Sequence, residues 1–263
     1  MVSIVLARLL MPSDFGLIGM LSIFIALGST LIDSGLTSSL IRTAEPDQRD
    51  YSTVFFINLI GSVTIYAILF VSAPYIAAFY NQPILEDIVR VYTLSFIINA
   101  FGSVQGTKLT KEMNFKKQMT IHIPSIICGG VLGIALAYNG YGVWSLVYMN
   151  LFQSLLSTIQ LWVRSGWQPS FVFDKERLKH HFNFGYKLTL SGILDTTFSN
   201  AYNLIIGKFF SAAQLGFYTR SQSLKDLPVK NISKALNKVT YPLFSSIQHD
   251  DTKLKAAYKR LMQ

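Results

Sequence analysis

The chain has 263 residues, of which 51% are hydrophobic and only 14% charged, and its mean hydropathy is +0.38. Soluble domains carry about 25% charged residues, so a single water-soluble globule is excluded. The net charge of +9 sits between and at the ends of apolar runs, which suits anionic lipid headgroups and argues against a nucleic-acid partner.

A membrane-spanning helix needs about 20 mostly apolar residues. The opening MVSIVLARLL at 1–10 lacks a basic leader and a small-residue cleavage site, so it reads as the end of a membrane helix and not as a signal peptide. The chain is accordingly expected to be a fragment of something larger, since AAYKRLMQ at its far end also stops without a terminator. Apolar runs then predict spans at 15–41, 52–73, 87–106, 121–138, 143–163 and 186–210. An amphipathic stretch at 215–247 completes eight helices. The single cysteine, Cys128, falls inside a run, which rules out an intrachain disulfide framework and predicts a packed, buried thiol.

The connections at 42–50, 107–120 and 164–187 carry eleven basic residues, from Arg42 to Lys187, whereas those at 11–14, 74–86, 139–142 and 211–214 carry none. This alternation places the basic connections on the cytoplasmic side and supports the helix count, because one missed span would scramble it.

The segment VLARLLMPSDFGLI at 5–18 compares with IIGKFFSAAQLGFY at 205–218 at a constant offset of 200. Arg8 meets Lys208, Gly16 meets Gly216 and Phe15 meets Leu215. Parallel repeats about a membrane-normal axis are a transporter architecture. The expected fold is thus an all-α polytopic membrane bundle in two parts. Residues 1–185 form a six-helix lobe with a truncated first helix, and 186–263 open a second, incomplete lobe.

Lys230, Lys234 and Lys238 fall within an arc of about 80° on a helix, opposite Val229, Ile232, Leu236 and Val239. Arg220 shares the arc if the helix is straight, and from it to Lys238 is roughly 27 Å. One unpaired base at the bilayer centre costs about 2.5–3.5 kcal/mol, so four facing lipid are untenable. A cationic cavity wall for a phosphate or pyrophosphate satisfies them. The alternative is a basic amphipathic helix lying flat on the anionic inner leaflet, which the loop alternation opposes. Arg8 is a further candidate for the cavity, with snorkelling to the outer headgroups as its alternative.

Two helices show polar seams: Ser22, Ser29, Thr30, Asp33 and Thr37 in the second, and Ser191, Asp195, Ser199 and Tyr202, with Asn203 beside them, in the seventh. Hydroxyls so spaced are ordinary devices of helix packing. Asp33 and Asp195 are intramembrane acids, candidates to pair with Arg8 or Arg90 or to carry a coupling proton or Na⁺. Adjacent His180 and His181 point about 100° apart on a helix and make a poor metal pair. No phosphate-binding loop or defensible Ser-His-Asp spacing is present, and no cofactor or enzymatic activity is implied.

ARLLMPSDFGLIGMLSIF at 7–24, DSGLTSSLIR at 33–42 and LGFYTRSQSLKDLP at 215–228 resemble the polysaccharide exporters and O-antigen flippases of the multidrug/oligosaccharidyl-lipid/polysaccharide superfamily, in its lipopolysaccharide-biosynthesis branch. The resemblance implies two six-helix lobes around a central cavity in the bacterial inner membrane. It also implies flipping of undecaprenyl-pyrophosphate-linked oligosaccharide from the inner to the outer leaflet, among membrane lipids and other polysaccharide-assembly proteins. It is consistent with cationic roles for Arg8 and the basic row without fixing contacts. Two rivals stand: a multidrug or cation antiporter of the same architecture, against which the basic row speaks, and a non-transporting scaffold of a glycan-assembly complex.

Overall fold

The computed structural model describes residues 2–33, 35–246, 255 and 259, with the side chains at 227–237, 243 and 246 outside the described set. The described chain is all α-helical. In chain order the helices are α1 (Val2–Leu9), α2 (Pro12–Asp33), α3 (Leu36–Arg42), α4 (Gln48–Tyr80), α5 (Ile84–Tyr92), α6 (Leu94–Lys111), α7 (Phe115–Tyr138), α8 (Trp144–Arg164), α9 (Lys175–Phe209) and α10 (Ala212–Ser246).

Four helices, starting at Pro12, Gln48, Phe115 and Val143, are long and apolar enough to cross a membrane. The chain is therefore a multi-pass membrane protein. Helix α9 is long enough but too polar to qualify on hydropathy. Exposed Ile60, Val63, Ile68 and Val71 on α4, and Ile123, Ile127 and Val131 on α7, supply the lipid-facing surface. Cys128 is exposed on that face of α7, contrary to the buried thiol expected, because lipid and not protein is its apolar surround.

Capping residues set the helix starts. Asp47 and Asp50 form a reciprocal capping box at the head of α4. Asn114 accepts from the Lys117 amide at 3.2 Å to start α7, and Asp174 accepts from Glu176 and Arg177 amides at 2.9 and 3.2 Å to start α9. That cap lets α9 begin eleven residues before the expected boundary at 186, through turns too polar to register as a span. Helix α9 runs unbroken through residue 186.

Two expected spans are divided. The run 15–41 breaks between α2 and α3, where Gly35 adopts φ 64°. A Cβ there would lie 2.6 Å from the Gly185 carbonyl oxygen, so close approach of α9 requires glycine as much as the left-handed backbone does. The run 87–106 divides at Thr93, whose hydroxyl donates to Val89 O at 2.7 Å.

The two largest apolar clusters among the described residues lie at opposite ends of the bundle. The outer one gathers Leu17, Met20, Leu21, Ala73, Tyr80, Leu85, Ile88, Val147 and Leu215. The inner one gathers Leu36, Leu40, Tyr51, Val54, Phe55, Val104 and Trp167. Helix α2 is the axis of the molecule: it packs antiparallel to α9 and packs most extensively against α10.

Candidate functional site

Helix α1 ends at Leu9 and α2 starts at Pro12, while α9 ends at Phe209 and α10 starts at Ala212, each pair separated by the same 200 residues. The two helix–turn–helix units meet face to face. A Cβ on Gly16 would fall 1.7 Å from the Ala212 carbonyl oxygen, and one on Gly216 would fall 1.8 Å from that of Pro12. A Cβ on Gly19 would meet Thr219, its own counterpart, at 2.9 Å. Equivalent residues exchange equivalent contacts, the signature of a local two-fold axis between α2 and α10.

Beside this crossing, α2, α9 and α10 enclose a cavity of about 380 Å³. Its polar wall includes Ser22, Ser199, Asn200, Asn203, Gln222 and Asp226, and its cationic group is Arg220. The guanidinium carbon lies 3.5 Å from the centre of the Phe15 ring, so the ring face offsets part of the cost of the charge. Its Nε is buried without a hydrogen-bond partner. Asn203 donates to Ser22 Oγ at 2.9 Å and ties α9 to α2.

The basic residues expected to line one wall are distributed differently. Arg220 lines the cavity; Arg8 is exposed at the outer end of α1 and is not among its lining residues. Lys238 is exposed, with its ammonium 5.9 Å from the centre of the Phe115 ring of α7. The side chains of Lys230 and Lys234 lie outside the described residues.

The polar seams divide as well. Thr30 and Thr196 hydroxyls meet at 3.2 Å and Asn203 bonds Ser22, so part of each seam is used in packing α2 on α9. Asp195, Ser191, Ser199 and Tyr202 are exposed on α9. Asp33 accepts from the Thr37 hydroxyl across the helix break. It lines a cavity of about 400 Å³ with Ser29, Thr30, Ser38, Thr189 and Gly192, between α2, α3 and α9. The structure therefore joins Arg220 to both seams and leaves Arg8, Lys238, Asp33 and Asp195 at other places.

Sequence reasoning missed Asn200 and Gln222, although the spacing of Ser199, Asn203 and Thr219 around them was available as a signal. It also missed an inner cluster. Ser39 Oγ lies 2.8 Å from His181 Nδ1, and His181 Nε2 lies 3.1 Å from Asp50 Oδ1. Arg177 reaches Asp50 Oδ2 at 3.3 Å and Asp47 at 3.4 Å. This Ser–His–Asp chain is no nucleophile, because Ser39 is 3% exposed and His181 and Asp50 are 0% exposed. It clasps α3, α4 and α9 together at their inner ends. Along one exposed face of α9, Lys175 and Lys179 give way to stacked Phe182 and Tyr186, then to Leu190, Leu194 and Phe198. That order, with Lys187 beside Tyr186, puts the inner membrane boundary between Phe182 and Leu190 and leaves His181 outside it. Burial pushes the His181 imidazole below its usual range, and the bond to Asp50 acts in the opposite direction. Since Arg177 already neutralises Asp50, the neutral imidazole is the form that fits.

A family model described as "Polysaccharide biosynthesis protein" matches residues 5–263. Among curated proteins, the chain is 27% identical over 230 residues to the teichuronic acid biosynthesis protein TuaB of Bacillus subtilis, covering 87% of this chain and 48% of that one. It is 25% identical over 246 residues to the succinoglycan biosynthesis transport protein ExoT of Rhizobium meliloti, covering 94% and 50%. It is 23% identical over 260 residues to the lipopolysaccharide biosynthesis protein WzxC of Escherichia coli, covering 98% and 53%. The chain thus spans about half the length of the curated relatives it matches, and no solved structure matches it.

Proposed function

The chain belongs to the polysaccharide biosynthesis protein family, and from that premise we propose that it serves to move a lipid-linked oligosaccharide across the membrane by alternating access. The observation that carries the reading is the cavity at the repeat crossing, with Arg220 held over Phe15 among carboxamides, hydroxyls and one carboxylate, Asp226. Such a wall suits the head of a glycolipid: the guanidinium meets diphosphate charge, and the amides and hydroxyls exchange hydrogen bonds with sugar. The lipid tail stays in the bilayer, so no apolar tunnel is needed.

The relatives' names refer to teichuronic acid, succinoglycan and lipopolysaccharide. What they share is a polysaccharide, which favours a carrier for the assembled unit over a cation antiporter. An undecaprenyl-pyrophosphate carrier, the two-lobe arrangement split at 186, and roles for Arg8, Lys230, Lys234 and Lys238 along the route belong to the same proposal. In this mechanism the two repeats rock about the α2–α10 crossing, and the cavity faces each leaflet in turn.

The test is complementation of a flippase-deficient strain by the full-length parent, wild type against Arg220→Gln, at matched membrane levels. Loss of an ion pair to the diphosphate head, about 2–3 kcal/mol for a charge-assisted bond, predicts a fall in export of at least about tenfold. Export at the wild-type level would remove Arg220 and its cavity from the route. Unchanged export by a Lys230/Lys234/Lys238→Gln triple variant would likewise remove the lysine row.

A further inference from the structure

A second, smaller cavity of about 150 Å³ opens between α2, α4 and α6, with Ser29 and Asn99 at its exposed side. Asp33 and Ser29 line it from α2, Asn58 from α4, and Asn99 and Ser103 from α6. Asp33 is the one ionisable group among its lining residues, and it also lines the larger cavity facing α9.

The Asn58 side chain decides what this space is for. It is 1% exposed, and its Oδ1 has no hydrogen-bond partner. The hydrogen bonding around it is consistent: Ser103 Oγ donates to Ala100 O at 3.0 Å and accepts from Asn58 Nδ2 at 3.3 Å. The carbonyl oxygen is thereby left over, and an orphaned buried acceptor costs about 1–3 kcal/mol unless something positive meets it. A helix end adds to the field. Helix α2 stops at Asp33, and the C-terminal end of a broken membrane helix carries partial negative charge of the kind that coordinates coupling ions.

We propose that this cavity is a Na⁺ site, with the Asp33 carboxylate, the Asn58 carbonyl oxygen and the Asn99, Ser29 and Ser103 oxygens as its donors. All the donors are oxygen, the set that hard cations prefer. One carboxylate balances one positive charge, whereas a divalent ion would leave an uncompensated charge inside the bundle. A proton on Asp33 requires a single acceptor and does not account for a set of neutral oxygens around a space this large. Because Asp33 also borders the cavity facing α9, occupancy on one side of the α2 break alters the electrostatics on the other.

Equilibrium ²²Na⁺ binding to the purified chain in detergent tests this without any glycan, so its failure leaves the export reading standing. Wild type should bind about one Na⁺ saturably, with Na⁺ but not choline competing. Asp33→Asn should weaken binding about tenfold or more and Asn58→Ala several-fold, while Asp87→Asn, an exposed acid elsewhere, should match wild type. No saturable binding to wild type, or undiminished binding to Asp33→Asn, would overturn the proposal. Should Asp33→Asn not elute as a folded species in size-exclusion chromatography, Asn58→Ala decides, and wild-type affinity in that variant would end the proposal equally.

Discussion

His181 is held neutral in a space closed by Ser39, Asp50, Arg177 and His180, and its folded form resists a proton that the unfolded chain accepts readily. When folding lowers a histidine's affinity for protons, the unfolded state binds more of them as the pH falls. Stability is therefore complete above the ordinary histidine range and declines as the pH drops below about 6.5, by at most about 1.4 kcal/mol per pH unit. Thermal unfolding of the detergent-solubilised chain between pH 8 and pH 5 should show this decline, and His181→Gln should flatten it. Equal slopes in both proteins would mean that the imidazole is not the group responsible. Nothing in the sequence announced this cluster, because its hydrogen bonds join residues 142 and 131 positions apart. Long-range polar pairing leaves no periodic trace. Arg220, by contrast, was legible, since a base in an apolar helix demands an explanation wherever it falls.

Between helices the glycines govern how closely backbones approach. Gly16 and Gly216 have no room for a methyl group, and the obstacle in each case is backbone and not a yielding side chain. Gly16→Ala and Gly216→Ala should each cost about 1–3 kcal/mol through overpacking. The double variant should cost clearly less than the sum, because both methyls push apart the same crossing. Melting temperatures of the three variants check this, and strict additivity would mean that the two contacts are independent. The offset of 200 residues was readable in the sequence because each unit is local. The break at Gly35 was only half readable: Asp33, Ser34 and Gly35 are turn residues inside a long run, but the close approach of Gly185 that demands the glycine lies on another helix. The polar start of α9 was hidden for a related reason, since hydropathy sees only the part of a helix that lipid covers.

At the scale of the whole chain, the alternation of connections with and without basic residues predicts which end faces the cytoplasm. In a Cys128→Ser background, Met11→Cys in the turn before α2 and Phe171→Cys in the loop before α9 are both well exposed, at 70% and 99% for the native residues. A membrane-impermeant maleimide added to intact spheroplasts should label the first and reach the second only after lysis. The reverse pattern would invert the topology and with it the direction assigned to every cavity. The membrane class and the bundle architecture were plain from composition and run lengths. The cavities were not, because they arise where seams from three helices happen to converge.

The 35 residues of α9 contain no proline and form a rod of roughly 52 Å at 1.5 Å per residue. Its foot is gripped by the Ser39–His181–Asp50 clasp, and its far end abuts the glycine crossing. A tilt of about 10° about the foot would carry the tip roughly 9 Å sideways, wider than a sugar ring, with no bond within the rod needing to bend. A small turn at one end of so long a rod is a wide displacement at the other.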